Sequence, residues 1–127
     1  MLTDFVTGYD HLGVPTNDMD ATVKFYESIG FKLAHATTNN GAKVNFFQHG
    51  DIIIETYEAN GNAAMKRGAI DHIALRVSDL DKCHAEAVAA GFNIIEGPNF
   101  LPFWENGIRY FCVLGPNTEV VEFLEKL

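Results

Sequence analysis

The sequence predicts an α+β fold built from two paired βαβββ modules, and three observations carry that prediction. The first is an internal repeat. YDHLGVPTNDMDATVKFYESIGF at residues 9–31 registers without a gap on IDHIALRVSDLDKCHAEAVAAGF at residues 70–92. Asp10/Asp71, His11/His72, Asp18/Asp79, Asp20/Asp81, Gly30/Gly91 and Phe31/Phe92 are then identical, 61 positions apart. The second is that each copy passes from strand-like alternation to helical spacing and back to strands. The third is size: neither module can bury an apolar sheet face alone, whereas a pair of them can.

The elements follow in order. Residues 9–15 alternate and are rich in β-formers, which predicts a strand closed by Pro15. Asn17-Asp18-Met19-Asp20 starts a helix with acidic residues in its first turn and a capping box. Met19, Val23, Tyr26 and Ile29, with Thr22 and Phe25 beside them, form its apolar stripe, and Gly30 ends it as a left-handed residue. Strands are predicted over 31–37, 43–49 and 52–57, separated by turns at Asn39-Asn40-Gly41 and Gly50-Asp51. Residues 58–69 are small and polar and read as the connection between modules. The second module predicts a strand over 70–77 and a helix from Ser78-Asp79-Leu80-Asp81 to Gly91. Leu80, Cys83, Ala87 and Ala90 lie on one face of that helix. Strands are predicted over 93–96, 108–114 and 119–124, with an aromatic loop, GPNFLPFWEN, over 97–106. The organisation is one domain over 1–127, with module one at about 8–57 and module two at about 70–126.

Composition narrows the function. The 127 residues are 47% hydrophobic and 20% charged, with a formal net charge of −8. An acidic surface repels nucleic-acid backbones and anionic membranes, so neither is an expected partner. No apolar run approaches the ~18 residues of a membrane span, and the N-terminal stretch lacks the basic and apolar regions of a signal peptide. Cys83 and Cys112 fall in different elements without metal-ligand spacing, which predicts free thiols in a cytoplasmic protein.

Four polar residues stand out against this background. His11 and His72 occupy equivalent places on the first strands. Aligning the last strands sets Ile52-Ile53-Ile54-Glu55-Thr56-Tyr57 against Glu119-Val120-Val121-Glu122-Phe123-Leu124, so that Glu55 and Glu122 coincide. Alternation puts Glu55 on the face of Ile53 and Tyr57, and Glu122 on the face of Val120 and Leu124. A single strand histidine is usually a satisfied core or edge residue, and a single strand glutamate usually faces water. Two of each at duplicated positions point instead to a metal-binding set of two imidazoles and two carboxylates. The alternation points the flanking Asp10 and Asp71 away from that set, in structural roles.

This pattern resembles the vicinal oxygen chelate superfamily, which includes glyoxalase I, bleomycin-resistance proteins and extradiol dioxygenases. The resemblance spans residues 8–126 and rests on DHLGVPTNDMDATVKFYESIGF and the closing GPNTEVVEFLEKL. It implies paired βαβββ modules forming a curled mixed sheet around one divalent metal per site, with Ni, Co, Zn, Mn or Fe all compatible. It implies His11, Glu55, His72 and Glu122 as ligands, an order most similar to glyoxalase I (lactoylglutathione lyase). The implied activity is that of a lyase or isomerase working by proton abstraction through a metal-chelated enediolate of a hemithioacetal or similar small substrate. Glu122 is then the principal base and Glu55 its partner. Four residues after His11, where glutathione-dependent members commonly carry an arginine, this chain has Pro15, so the resemblance does not extend to the thiol. Alternatives within the superfamily are an epimerase of the methylmalonyl-CoA type, a dioxygenase, or a resistance protein that sequesters a ligand without turnover.

Around the expected metal, Phe100, Phe103 and Trp104 are candidates for a substrate wall that excludes water. Arg109, and Lys43 in module one, are candidates to meet an anionic substrate. His35, His49 and His84 are not duplicated and are assigned no role. A homodimer is expected, since members of the superfamily often build a site from modules of two chains.

Overall fold

The computed structural model describes residues 1–127 as two compact units, Met1–Ala63 and Ala64–Leu127. The division falls inside the segment where the sequence loses its periodicity. After a single 3-10 turn at Leu2–Asp4, the first unit comprises β1 (Leu12–Thr16), α1 (Met19–Ser28), β2 (Lys32–Asn39), β3 (Ala42–His49) and β4 (Ile52–Glu58). The second comprises β5 (Ile73–Arg76), α2 (Leu80–Ala89), β6 (Asn93–Leu101), β7 (Ile108–Leu114) and β8 (Val120–Lys126). Each unit carries one four-stranded mixed sheet, ordered β1-β4-β3-β2 and β5-β8-β7-β6. The first strand of each unit runs parallel to the last, and the remaining pairs are antiparallel. This is the α+β architecture of two βαβββ modules.

The duplicated residues build duplicated helix ends. The Asp18 and Asp79 carboxylates accept hydrogen bonds from the backbone N–H of Ala21 at 3.0 Å and of Lys82 at 3.1 Å, satisfying donors that a helix start leaves unpaired. Asp20 and Asp81 add negative charge to the first turns, where the helix dipole favours it. At the other end Gly30 and Gly91 take φ of 101° and 80°, a conformation that side chains resist. That turn lets the N–H of Phe31 reach the Tyr26 carbonyl and the N–H of Phe92 reach the Ala87 carbonyl, both at 3.0 Å.

Each helix covers one face of its own sheet. In the first unit Tyr26, Phe31, Phe47 and Ile54 are almost fully buried, with Tyr26 stacked on Phe47. Buried Thr16 and Thr22 share a hydroxyl hydrogen bond of 2.8 Å, so their polarity is satisfied inside that core. In the second unit Leu80, Phe111, Val113, Val121 and Phe123 are buried, and the Phe111 and Phe123 rings stack at 4.9 Å. His84 on α2 meets Phe111 edge-on, and His49 meets Phe31 likewise; both are packing residues.

Two boundaries differ from the sequence prediction. The first strands begin at Leu12 and Ile73, so both Asp-His dipeptides lie just outside them rather than within. The stretch expected as a loop over 97–106 is in large part strand, since β6 continues to Leu101 through two register shifts. Gly and Pro signalled a break there, but β6 is an edge strand, where a proline leaves no ladder bond unmade. Gly97 allows the close approach: at φ +83°, an added Cβ would lie 2.5 Å from the Tyr110 carbonyl oxygen and 2.9 Å from the Phe111 Cα.

Candidate functional site

The parallel pairings place histidine and glutamate together in each unit by one register. Gly13 lies opposite Glu55 and Ala74 opposite Glu122, and each histidine sits two residues before that partner. His11 Nε2 is 2.9 Å from Glu55 Oε2, and His72 Nε2 is 3.2 Å from Glu122 Oε2. The chain therefore brings the four expected ligands together as two pairs, each within its own unit. No group of three or more His, Cys, Asp or Glu side chains with metal-binding spacing is assembled.

The aspartates next to the histidines prove to be in contact with them, contrary to the sequence reading. Asp10 Oδ1 is 2.5 Å from His11 Nδ1, and Asp71 Oδ2 is 2.8 Å from His72 Nδ1. Pleat alternation would separate neighbouring side chains, but these dipeptides precede the strands and escape it. The hydrogen bond it donates to Asp10 is the main reason the His11 imidazole titrates above its ordinary value; burial opposes it and Glu55 reinforces it. The bond from His72 holds the Asp71 carboxyl below the usual range.

In the second unit the sheet face opposite α2 lines a cavity of about 390 Å³. Alternation sorts the strands. Tyr110, Cys112, Val120, Glu122 and Leu124 line the cavity, whereas Phe111, Val121 and Phe123 face the helix. His72 lies at the same cavity with Leu101, Phe103 and Trp104. Glu122 is 9% exposed, and desolvation pushes its carboxyl pKa upward, opposed by His72 and assisted by Glu96. Cys112, opposite Glu122 on the ladder, is buried, and its thiol is pushed up to about 12, chiefly by desolvation and then by Glu122 and Glu96. It stays protonated at neutral pH.

Of the expected wall, Phe103 and Trp104 line the cavity and Phe100 does not; its ring lies against Gly107. Arg109 is likewise absent from the lining. Its position on β7 alternates with Tyr110, so the guanidinium points to the helix side and makes two hydrogen bonds to Asp81 at 2.8 and 3.1 Å. Lys43 carries its backbone N–H to Glu58 at 2.8 Å, on the exposed end of the first sheet.

Sequence reasoning passed over a row that only the registers reveal. In the second sheet Glu122 faces Cys112, which faces Glu96; in the first, Glu55 faces Phe46, which faces His35. Glu96 lines the cavity and accepts a hydrogen bond from the Tyr110 hydroxyl at 3.0 Å. Aligning β2 with β6 at the level of the ligands is the signal that would have found His35 and Glu96.

The donor chemistry fits a divalent cation. Where each imidazole donates a hydrogen bond from Nδ1–H to aspartate, Nε2 presents a lone pair to a carboxylate oxygen, and a cation between two such groups removes the repulsion. The imidazole and carboxylate in each unit are mixed nitrogen and oxygen donors of the kind that suits borderline transition metals.

Comparison with known proteins agrees with this architecture. The uncharacterized protein YwbC of Bacillus subtilis (strain 168) is 32% identical over 125 residues, covering 92% of this chain and 96% of that protein. A glyoxalase family protein from Enterococcus faecalis superposes with a TM-score of 0.79 at 18% identity, over 95% of this chain and 99% of that one. The fosfomycin resistance protein FosX from Listeria monocytogenes, crystallised with Mn(II) and sulfate ion, superposes with a TM-score of 0.75 at 16% identity, over 96% and 94%. At those identities the structural likeness speaks for the fold. Residues 8–123 match the pattern of the Glyoxalase/Bleomycin resistance protein/Dioxygenase superfamily, and the chain belongs to that superfamily.

Proposed function

We propose that this protein is a metal-dependent lyase or isomerase of glyoxalase I type, acting on a hemithioacetal or similar small substrate. His11, Glu55, His72 and Glu122 would hold the metal, one of Ni, Co, Zn, Mn or Fe. The observation that carries the reading is the repetition of one His–Glu pair at one register in both units. A divalent ion bound there supplies Lewis acidity, which makes the C–H beside a coordinated substrate oxygen more acidic.

The chain's own groups then divide the work. Glu122 takes the proton from that carbon and returns it to the neighbouring one; its near-burial makes the carboxylate a stronger base than an exposed glutamate. Glu55 is its counterpart in the first unit. His11 and His72 contribute neutral nitrogen donors. Phe103 and Trp104 wall the cavity and limit water beside the reacting carbon. Cys112 is no nucleophile here, since its proton stays on sulfur at neutral pH. The proposal includes a cytoplasmic homodimer, and a monomer by light scattering would contradict that part.

Metal analysis of untagged protein after exposure to Ni, Co, Mn or Zn is the first test. Failure to retain any of them removes the enzyme reading and leaves ligand sequestration as the alternative. Turnover of methylglyoxal with glutathione, bacillithiol or coenzyme A is the second. In Glu122→Gln, with metal retained, turnover should fall by roughly 10²- to 10⁴-fold, the usual contribution of a general base.

A further inference from the structure

We infer that Asp10 and Asp71 are positioning residues: each accepts a hydrogen bond from Nδ1–H of the adjacent histidine and so leaves the Nε2 lone pair on the side of Glu55 or Glu122. The inference rests on the metal-site reading above but adds two residues to it. Three observations carry it. Both aspartates touch Nδ1, at 2.5 and 2.8 Å, and both histidines turn Nε2 to a glutamate, at 2.9 and 3.2 Å. The arrangement is duplicated 61 residues apart, in backbone that precedes the strand in both units. Neither aspartate does structural work elsewhere that would explain the duplication. Asp10 is largely in water, and Asp71 has only Arg67 at 3.8 Å besides its histidine.

A neutral imidazole carries one proton on one of two nitrogens, and the hydrogen bond made by one nitrogen decides which is left to bind metal. Both nitrogens face an acceptor-only carboxylate, and the shorter contact is the aspartate's in each unit, 2.5 against 2.9 Å for His11 and 2.8 against 3.2 Å for His72, which favours the proton on Nδ1 and leaves Nε2 unprotonated. An asparagine of the same shape lacks that constraint, because its amide nitrogen can donate to Nδ1 and move the proton to Nε2. The fixed Asp-His-Glu order thus sets ring orientation and tautomer together.

The test uses the full chain with Asp10→Asn, Asp71→Asn and the corresponding alanine variants. Long-range 1H–15N correlation spectra of the metal-free proteins, followed upward in pH until the ring signals stop moving, read the tautomer directly. The wild type should show His11 and His72 protonated at Nδ1, and each asparagine variant should shift its own histidine toward Nε2–H. Competition against a chromophoric chelator with Co(II), Ni(II), Mn(II) or Zn(II) alone should show a loss of about 10- to 100-fold in affinity for each variant. Unchanged tautomers with wild-type affinity in the variants overturn the inference and leave the metal reading intact. Wild-type protein that binds none of the four ions, yet keeps the Nδ1 protons, overturns the metal reading and supports the tautomer assignment.

Discussion

Ala74 faces Glu122 across the parallel β5–β8 ladder, as Gly13 faces Glu55 across β1–β4, and in both units the histidine stands two residues before the small partner. A small side chain opposite the glutamate leaves room for the imidazole to reach over it. Replacing Ala74 by leucine should push His72 away from Glu122 and weaken metal retention while the fold survives, read by metal content beside a circular dichroism spectrum. For His72→Ala the expected outcome is loss of bound metal with little change in the melting temperature of the metal-free protein, because the imidazole is 42% exposed and outside the core.

The titration of Glu122 gives a signed prediction. Its folded-state pKa is raised above the ordinary 4.5, so the folded chain prefers the protonated form. Metal-free protein should lose stability as pH climbs from about 4.5 through that raised value. Glu122→Gln mimics the protonated form and should melt above wild type at pH 7 without metal, with the gap closing as the pH is lowered. A constant gap across that range would contradict the assignment.

His11 shifts in the same direction, for a different reason and over a higher pH range. Its folded pKa is raised above 6.5, with Asp10 the largest cause, so its contribution is fully present below pH 6.5 and is lost as pH rises through the folded value. The metal-free wild type should therefore lose its advantage over Asp10→Asn as pH increases past 6.5 and through the raised folded value. Proton and metal compete for the same nitrogen, so metal affinity should strengthen over the same interval, as titration at pH 6, 7 and 8 can follow.

Gly97 and Arg109 separate structure from chemistry. Gly97→Ala forces a Cβ against the β7 backbone at a left-handed φ and should cost about 1–3 kcal/mol, seen as a lower denaturant midpoint. Arg109→Ala breaks an exposed pair with Asp81 and should leave KM nearly unchanged. Trp104→Ala removes cavity wall and should raise KM roughly three- to tenfold, the value of one aromatic contact.

The repeat made most of the fold legible. Asp18 and Asp79, Gly30 and Gly91 announce the helix ends by local chemistry, and β-rich alternation announces the strands. The Glu55 and Glu122 alignment was readable because pleat and duplication point the same way. What stayed hidden depended on where strands start and on cross-strand register. Asp10 and Asp71 reach their histidines because their backbone precedes the strands, where pleat alternation does not hold. Arg109 faces the helix because Ile108, not Arg109, begins the cavity face of β7. His35 and Glu96 became visible only once edge strands were paired with their neighbours.

Trp104 has a consequence for measurement. It is the chain's single tryptophan, it is 74% exposed at the cavity wall, and the Lys126 ammonium rests 3.9 Å from its ring centroid. The protein thus carries a built-in fluorophore whose emission should be red-shifted and readily quenched by iodide or acrylamide. A molecule entering the cavity should shift that emission to the blue and shield it from quencher, so that occupancy can be followed by light before any reaction is known.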